Sequence, residues 1–109
     1  MAFKLAKTEN FRAPVTIEST DEKGRVVKET VHCIYRRPNE AECKEWATKD
    51  NAEVMAEFLV DVEGMTDEEG AAVLYTGEHR LAFLAYPPAT FSSASVFWQC
   101  ARTGKAKNS

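Results

Sequence analysis

The pattern of apolar and polar positions changes period at Pro38. From Pro14 to Arg36 side chains alternate; beyond Pro38 apolar residues recur at helical spacing. In the first run Val15 and Ile17 share one face, and Thr16 and Glu18 the other. Asp21-Glu22-Lys23-Gly24 breaks the alternation, with glycine where a turn calls for positive φ. Val26 to Arg36 alternates again. Val27, Val31, Cys33 and Tyr35 lie on one face, interrupted by Glu29, while Thr30, His32 and Ile34 lie on the other. Two β-rich runs around a short glycine turn predict an antiparallel hairpin. The first dozen residues show no clear period.

Pro38 ends the second strand, and Asn39 is a good helix N-cap with Glu42 at the capping-box position. Glu40, Glu42 and Glu45 suit the positive end of the helix dipole, and Ala41, Trp46 and Ala47 are expected to face inward. Asp50-Asn51 interrupts or bends this helix. Beyond it Val54, Met55, Phe58, Leu59 and Val62 form an apolar stripe, with Gly64 as the stop. A helix is therefore predicted over 39–60, followed by an acidic loop from Asp61 to Gly70 and a short extended segment from Ala71 to Tyr75. A second helix, 78–86, runs through Leu81, Leu84 and Ala85 to the stop at Pro87. Pro88 suits the first turn of a third, 89–102, with Phe91, Ala94, Trp98 and Ala101 on one face. The expected fold is α+β: an N-terminal antiparallel hairpin or sheet packed against C-terminal helices. It forms one domain over residues 1–104, with 105–109 a disordered basic tail.

Composition narrows the function. A chain of 109 residues suffices for a single core. The net charge of −3 argues against nonspecific nucleic-acid binding. No apolar run approaches the roughly eighteen residues of a membrane span, and the N-terminus lacks a signal-peptide core, so the expected compartment is the cytoplasm. Cys33, Cys43 and Cys100 are too few and too scattered for a disulfide framework and read as small hydrophobes. His32 and His79 add metal-capable atoms, but only His32 and Cys33 are adjacent, and a strand points them to opposite faces. No metal and no cofactor are expected. Asp61, Glu63, Asp67, Glu68 and Glu69 lack EF-hand spacing and read as a solvated loop able to meet a basic partner surface. Ser92, Ser93 and Ser95 carry no nucleophile elbow, and no acid, base and nucleophile constellation suggests an enzyme.

The last helix is the feature that points to a partner. Phe91, Phe97 and Trp98 do not share one narrow face, while Val96 and Cys100 widen the apolar surface further. An aromatic patch left exposed on a small protein marks a contact surface, so these three are the candidate partner-binding residues.

The order of elements carries a family resemblance. Phe11-Arg12-Ala13-Pro14-Val15 opens a hairpin, and Tyr35-Arg36-Arg37-Pro38-Asn39-Glu40-Ala41-Glu42 leads into a capped acidic helix. Thr66-Asp67-Glu68-Glu69-Gly70 forms a loop, a short helix ends at Pro87, and a last helix leads to a basic end at Lys107-Asn108. This layout resembles the tail assembly chaperones of long-tailed bacteriophages over nearly the whole chain. The resemblance implies a nonenzymatic protein of the bacterial host cytoplasm, absent from the mature virion. It implies binding to the tape measure protein, and to the tail tube protein through a frameshifted extension. Ala106-Lys107-Asn108 can be encoded GCA AAA AAC, which contains the slippery heptamer A AAA AAC; a solubilising tail end is the plain alternative. Self-association into a homo-oligomer is left open. The reading from a different class is a small cytoplasmic regulator or adaptor that binds another protein or a nucleic acid.

Overall fold

A computed structural model describes residues 8–103. Strands β1 (Asn10–Thr20) and β2 (Val26–Arg36) form the expected hairpin, paired from Asn10 opposite Arg36 to Thr20 opposite Val26. β1 begins before Pro14, within the stretch that showed no period. Pro14 is tolerated there because β1 is an edge strand and can spare an N–H. One carboxylate organises the hairpin turn: Asp21 Oδ1 accepts from the backbone N–H groups of Lys23 and Arg25, both at 2.9 Å. Gly24, with φ of 80°, supplies the left-handed residue that closes it.

The next region departs from the expected single helix over 39–60. It comprises α1 (Glu40–Trp46), α2 (Asn51–Phe58) and a third strand, β3 (Leu59–Glu63). The capping box at Asn39 forms as read, with Glu42 N–H donating to Asn39 Oδ1 at 2.9 Å and Asn39 N–H donating to Glu42 Oε1 at 3.0 Å. Asp50 then caps a new helix by accepting from Glu53 N–H, which is why the chain breaks there. Of the residues expected inward on α1, only Trp46 is buried; Ala41 and Ala47 are exposed.

β3 runs antiparallel to β2, giving a three-stranded sheet in the order β1-β2-β3. Its register explains why it looked helical. Leu59 opposes Tyr35 and Asp61 opposes Ile34, so Val60 is an extra residue, half exposed at 50%. That bulge turns both Leu59 and Val62 inward although they stand three apart, which is helical rather than strand spacing.

Helices α3 (Gly77–Ala85) and α4 (Pro87–Thr103) complete the α+β arrangement. α4 starts with consecutive prolines, and the Tyr86 carbonyl accepts from Ala89 and Thr90 N–H at 3.0 and 3.2 Å. Its buried positions, Ala89, Thr90, Ser93, Ala94 and Phe97, lie at helical spacing, but on a face rotated from the expected stripe. The reason is proximity to the sheet: small side chains let the helix backbone approach, and Tyr35 Oη donates to the Ser93 carbonyl at 2.8 Å. Likewise on α3 the inward residue is Phe83, while Leu81 is 65% exposed.

The core lies on the inward face of the sheet, where Ala13, Val15, Cys33, Tyr35 and Val62 meet Met55, Phe58 and Phe97. A polar tie holds its edge. Arg36 donates to both Glu42 oxygens, at 3.2 and 2.8 Å, and its guanidinium lies 4.4 Å from the centre of the Phe58 ring. Glu57 stands 3.7 Å from Arg36 and 3.2 Å from Lys49, so β2, α1 and α2 share one ion network.

Candidate protein-docking surfaces

The structure separates the three aromatic residues proposed for partner binding. Phe97 is 1% exposed. Its ring lies 4.6 Å from Trp46, 5.0 Å from Tyr35, 5.3 Å from Phe58 and 6.1 Å from Phe11, centroid to centroid. It is a core residue, and its ring is not on the surface. Trp98 is half-buried, edge-on to Trp46 at 4.8 Å, with the Arg102 guanidinium 4.3 Å from its ring centre. Phe91 alone is a surface residue, 65% exposed.

Phe91 stands in a groove of about 950 Å³ between α4 and the hairpin. Pro87, Pro88, Phe91 and Val96 form its helix side; Thr16, Glu18 and Lys28 form its strand side. Those strand residues belong to outward-facing rows of the sheet, with Glu18 opposite Lys28 and their charged groups 3.6 Å apart. Ser95 Oγ donates back to the Phe91 carbonyl at 2.9 Å, and the Thr16 and Thr30 hydroxyls bond each other at 3.2 Å. The polar groups of the groove are thus largely matched locally, leaving Phe91 and the prolines as its apolar surface.

A second concavity, about 470 Å³, opens beneath the hairpin on the inward side of the sheet. β3 pairs only with His32–Tyr35, so the turn-proximal half of β2 has no second neighbour strand among the described residues. At the end of β3, Gly64 takes φ of 102° and turns the chain away over Val31; a Cβ there would lie 3.6 Å from Val31 Cα. A short ladder follows, in which Thr66 pairs with Ala72 and Val73 N–H donates to the Met65 carbonyl at 3.0 Å. Met65, Thr66 and Val73 form one wall, and His79, Ala82, Phe83 and Tyr86 the other. Ile17, Glu29 and Val31 form the roof. Tyr75, edge-on to Phe83 at 5.7 Å, supports the floor.

The expected acidic loop is shorter than read, because Asp61–Glu63 belong to β3. Its tip repeats the hairpin turn. Asp67 Oδ1 accepts from Glu69 and Ala71 N–H at 2.9 and 3.0 Å, and Gly70 has φ of 84°. Asp67 is therefore a turn-forming residue, and Glu68 and Glu69 are the exposed charges. Cys33 is buried, and burial pushes its thiol up to about 12; Cys43 and Cys100 are half-buried and shifted upward for the same reason. Thiols so shifted stay protonated near neutral pH. Among the described residues, no three His, Cys, Asp or Glu side chains group as a metal site requires. No described helix is long and apolar enough to cross a membrane. Lys107-Asn108 and the basic end lie outside the described residues.

Comparison with protein-family models, with curated proteins and with solved structures gave no significant match. The cleft beneath the hairpin was not anticipated from the sequence. Its one legible trace was Glu29, a carboxylate on the apolar row of β2.

Proposed function

We propose that this chain is a nonenzymatic tail assembly chaperone of a long-tailed bacteriophage, which binds the tape measure protein and assists tail tube assembly. The observation that carries the reading is Phe91, a large aromatic ring exposed on the last helix at a groove flanked by Pro87, Pro88 and Val96. A tape measure exposes apolar helical stripes until the tube encloses it. A groove between a helix and a strand edge can cover such a stripe reversibly, with Phe91 as the anchor. The net charge of −3 keeps the complex soluble. In this reading the protein works in the bacterial host cytoplasm and stays out of the mature virion. A frameshifted longer product brings the tail tube protein to the same complex.

The test is co-expression with a tape measure protein from the same genome. The expected result is a stable complex that Phe91→Ala weakens by about 2 kcal/mol, roughly thirtyfold in Kd, without loss of folding. Failure to form a complex overturns the chaperone reading. Retention of a nucleic acid or of a different protein favours the regulator or adaptor.

A further inference from the structure

We propose that the cleft beneath the hairpin is a docking site for a basic amphipathic helix of another protein. The inference does not depend on the tail-assembly reading, and the cleft is a different surface from the Phe91 groove. Its interior is apolar: Val31, Met65, Val73, Phe83 and Ala89 contribute to it, and its volume of about 470 Å³ suits insertion of side chains. Its surroundings are acidic. Glu29 projects from the roof on the inward row of β2, opposite Ile17. Glu68 and Glu69 stand on the turn that caps the Thr66–Ala72 ladder, and Thr66 itself lines the cleft. Glu78 and Arg80 flank the lining residue His79, and Arg80 is engaged elsewhere, donating to the Ala56 carbonyl at 2.9 Å with its guanidinium 5.9 Å from the centre of the Tyr75 ring. Among the described residues none of these four carboxylates is held in a salt bridge.

Charge complementarity selects the occupant. An apolar floor with one carboxylate, Glu29, in its roof and three more, Glu68, Glu69 and Glu78, on the segments that supply its walls favours a helix whose apolar stripe is flanked by lysine or arginine, and disfavours one flanked by acids. A strand is the poorer fit, because Gly64 already lies against Thr30 and Val31 and leaves only the short stretch Val26–Glu29 of that edge to pair with. A helix needs no backbone pairing and offers residues at i, i+3, i+4 and i+7 to the cleft.

The experiment uses the full chain and three labelled amphipathic peptides of about eighteen residues. They share one leucine stripe and carry lysine, glutamine or glutamate on the polar face. Fluorescence anisotropy should show the lysine peptide binding at least about tenfold more tightly than the glutamine peptide, with the advantage shrinking as salt rises. The glutamate peptide should bind weakest. Glu29→Lys should weaken the lysine peptide by about tenfold, and Ala82→Trp, which fills the cleft from an exposed helical position, should abolish its binding. Val60→Ala, at an exposed apolar residue that lines neither concavity, should leave its binding unchanged. Amide exchange of the unmutated chain with the lysine peptide bound should show protection over 64–66 and 79–86. Equal affinity for the lysine and glutamine peptides overturns the proposal, as does protection confined to 88–96.

Discussion

Replacing Phe97 with alanine is the sharpest test of how the last helix is used. The ring is buried against Phe11, Tyr35, Trp46 and Phe58, so its removal opens a cavity where β1, β2, α1, α2 and α4 converge. A core Phe→Ala substitution costs about 3–5 kcal/mol. Aromatic pairs contribute about 0.5–1.5 kcal/mol beyond area, which places this site near the top of that range, about 4–5 kcal/mol. A domain of this size has only about 5–15 kcal/mol in total, so the variant should be barely folded at 37 °C. Phe91→Ala, on the same helix, should change stability by no more than about 0.5 kcal/mol. Urea unfolding followed by tryptophan emission reads both, because Trp46 packs against Phe97 and Trp98 packs against Trp46. A Phe97→Ala loss below about 1.5 kcal/mol would refute the description of this core. An equal loss for Phe91→Ala would refute the surface assignment on which the proposed function rests.

Two further outcomes follow from the polar tie and from the turn after β3. The Arg36 guanidinium, together with the Asn39 backbone N–H, holds the Glu42 carboxyl below its ordinary value of 4.5. A lowered folded-state pKa adds stability above the unfolded value that is lost as pH falls through the folded one. Unfolding free energy measured from pH 7 down to pH 3 should therefore fall less steeply in Glu42→Gln than in the unmutated chain, and parallel curves would show that the tie contributes nothing. Gly64→Ala puts a Cβ on a residue with φ of 102°, and should cost about 1–3 kcal/mol as a shift in the urea midpoint; an unchanged midpoint would show that the turn relaxes freely.

The hairpin was legible because its signal is local. Alternation on both sides of Asp21-Glu22-Lys23-Gly24 specifies strands, turn and register together, and the Asn39–Glu42 capping box is equally a matter of near neighbours. The third strand was not legible. Its bulge at Val60 places Leu59 and Val62 at helical spacing, and only the edge of β2, distant in sequence, makes a strand of it. The rotation of α4 was hidden for a related reason. Apolar size pointed to the large aromatics, whereas contact with the sheet selects the small residues Ala89, Ser93 and Ala94. Phe91 was read only together with Phe97 and Trp98, and its 65% exposure was not legible apart from theirs; the cleft beneath the hairpin needed Met65, Phe83 and Tyr86 to be brought together from separate segments.

Among the described residues α4 comes last and packs onto β1, which comes first, and this has a consequence for synthesis. As the chain leaves the ribosome the hairpin can form early from neighbouring residues, but its apolar face is only partly covered until Phe97 has emerged. Val15, Cys33 and Tyr35 would meanwhile stand open to water and to other nascent chains. A pause that holds α4 inside the ribosome should therefore raise aggregation, whereas a pause after α4 has left it should not. Helix α4 sets the moment at which the hairpin's apolar face is closed off.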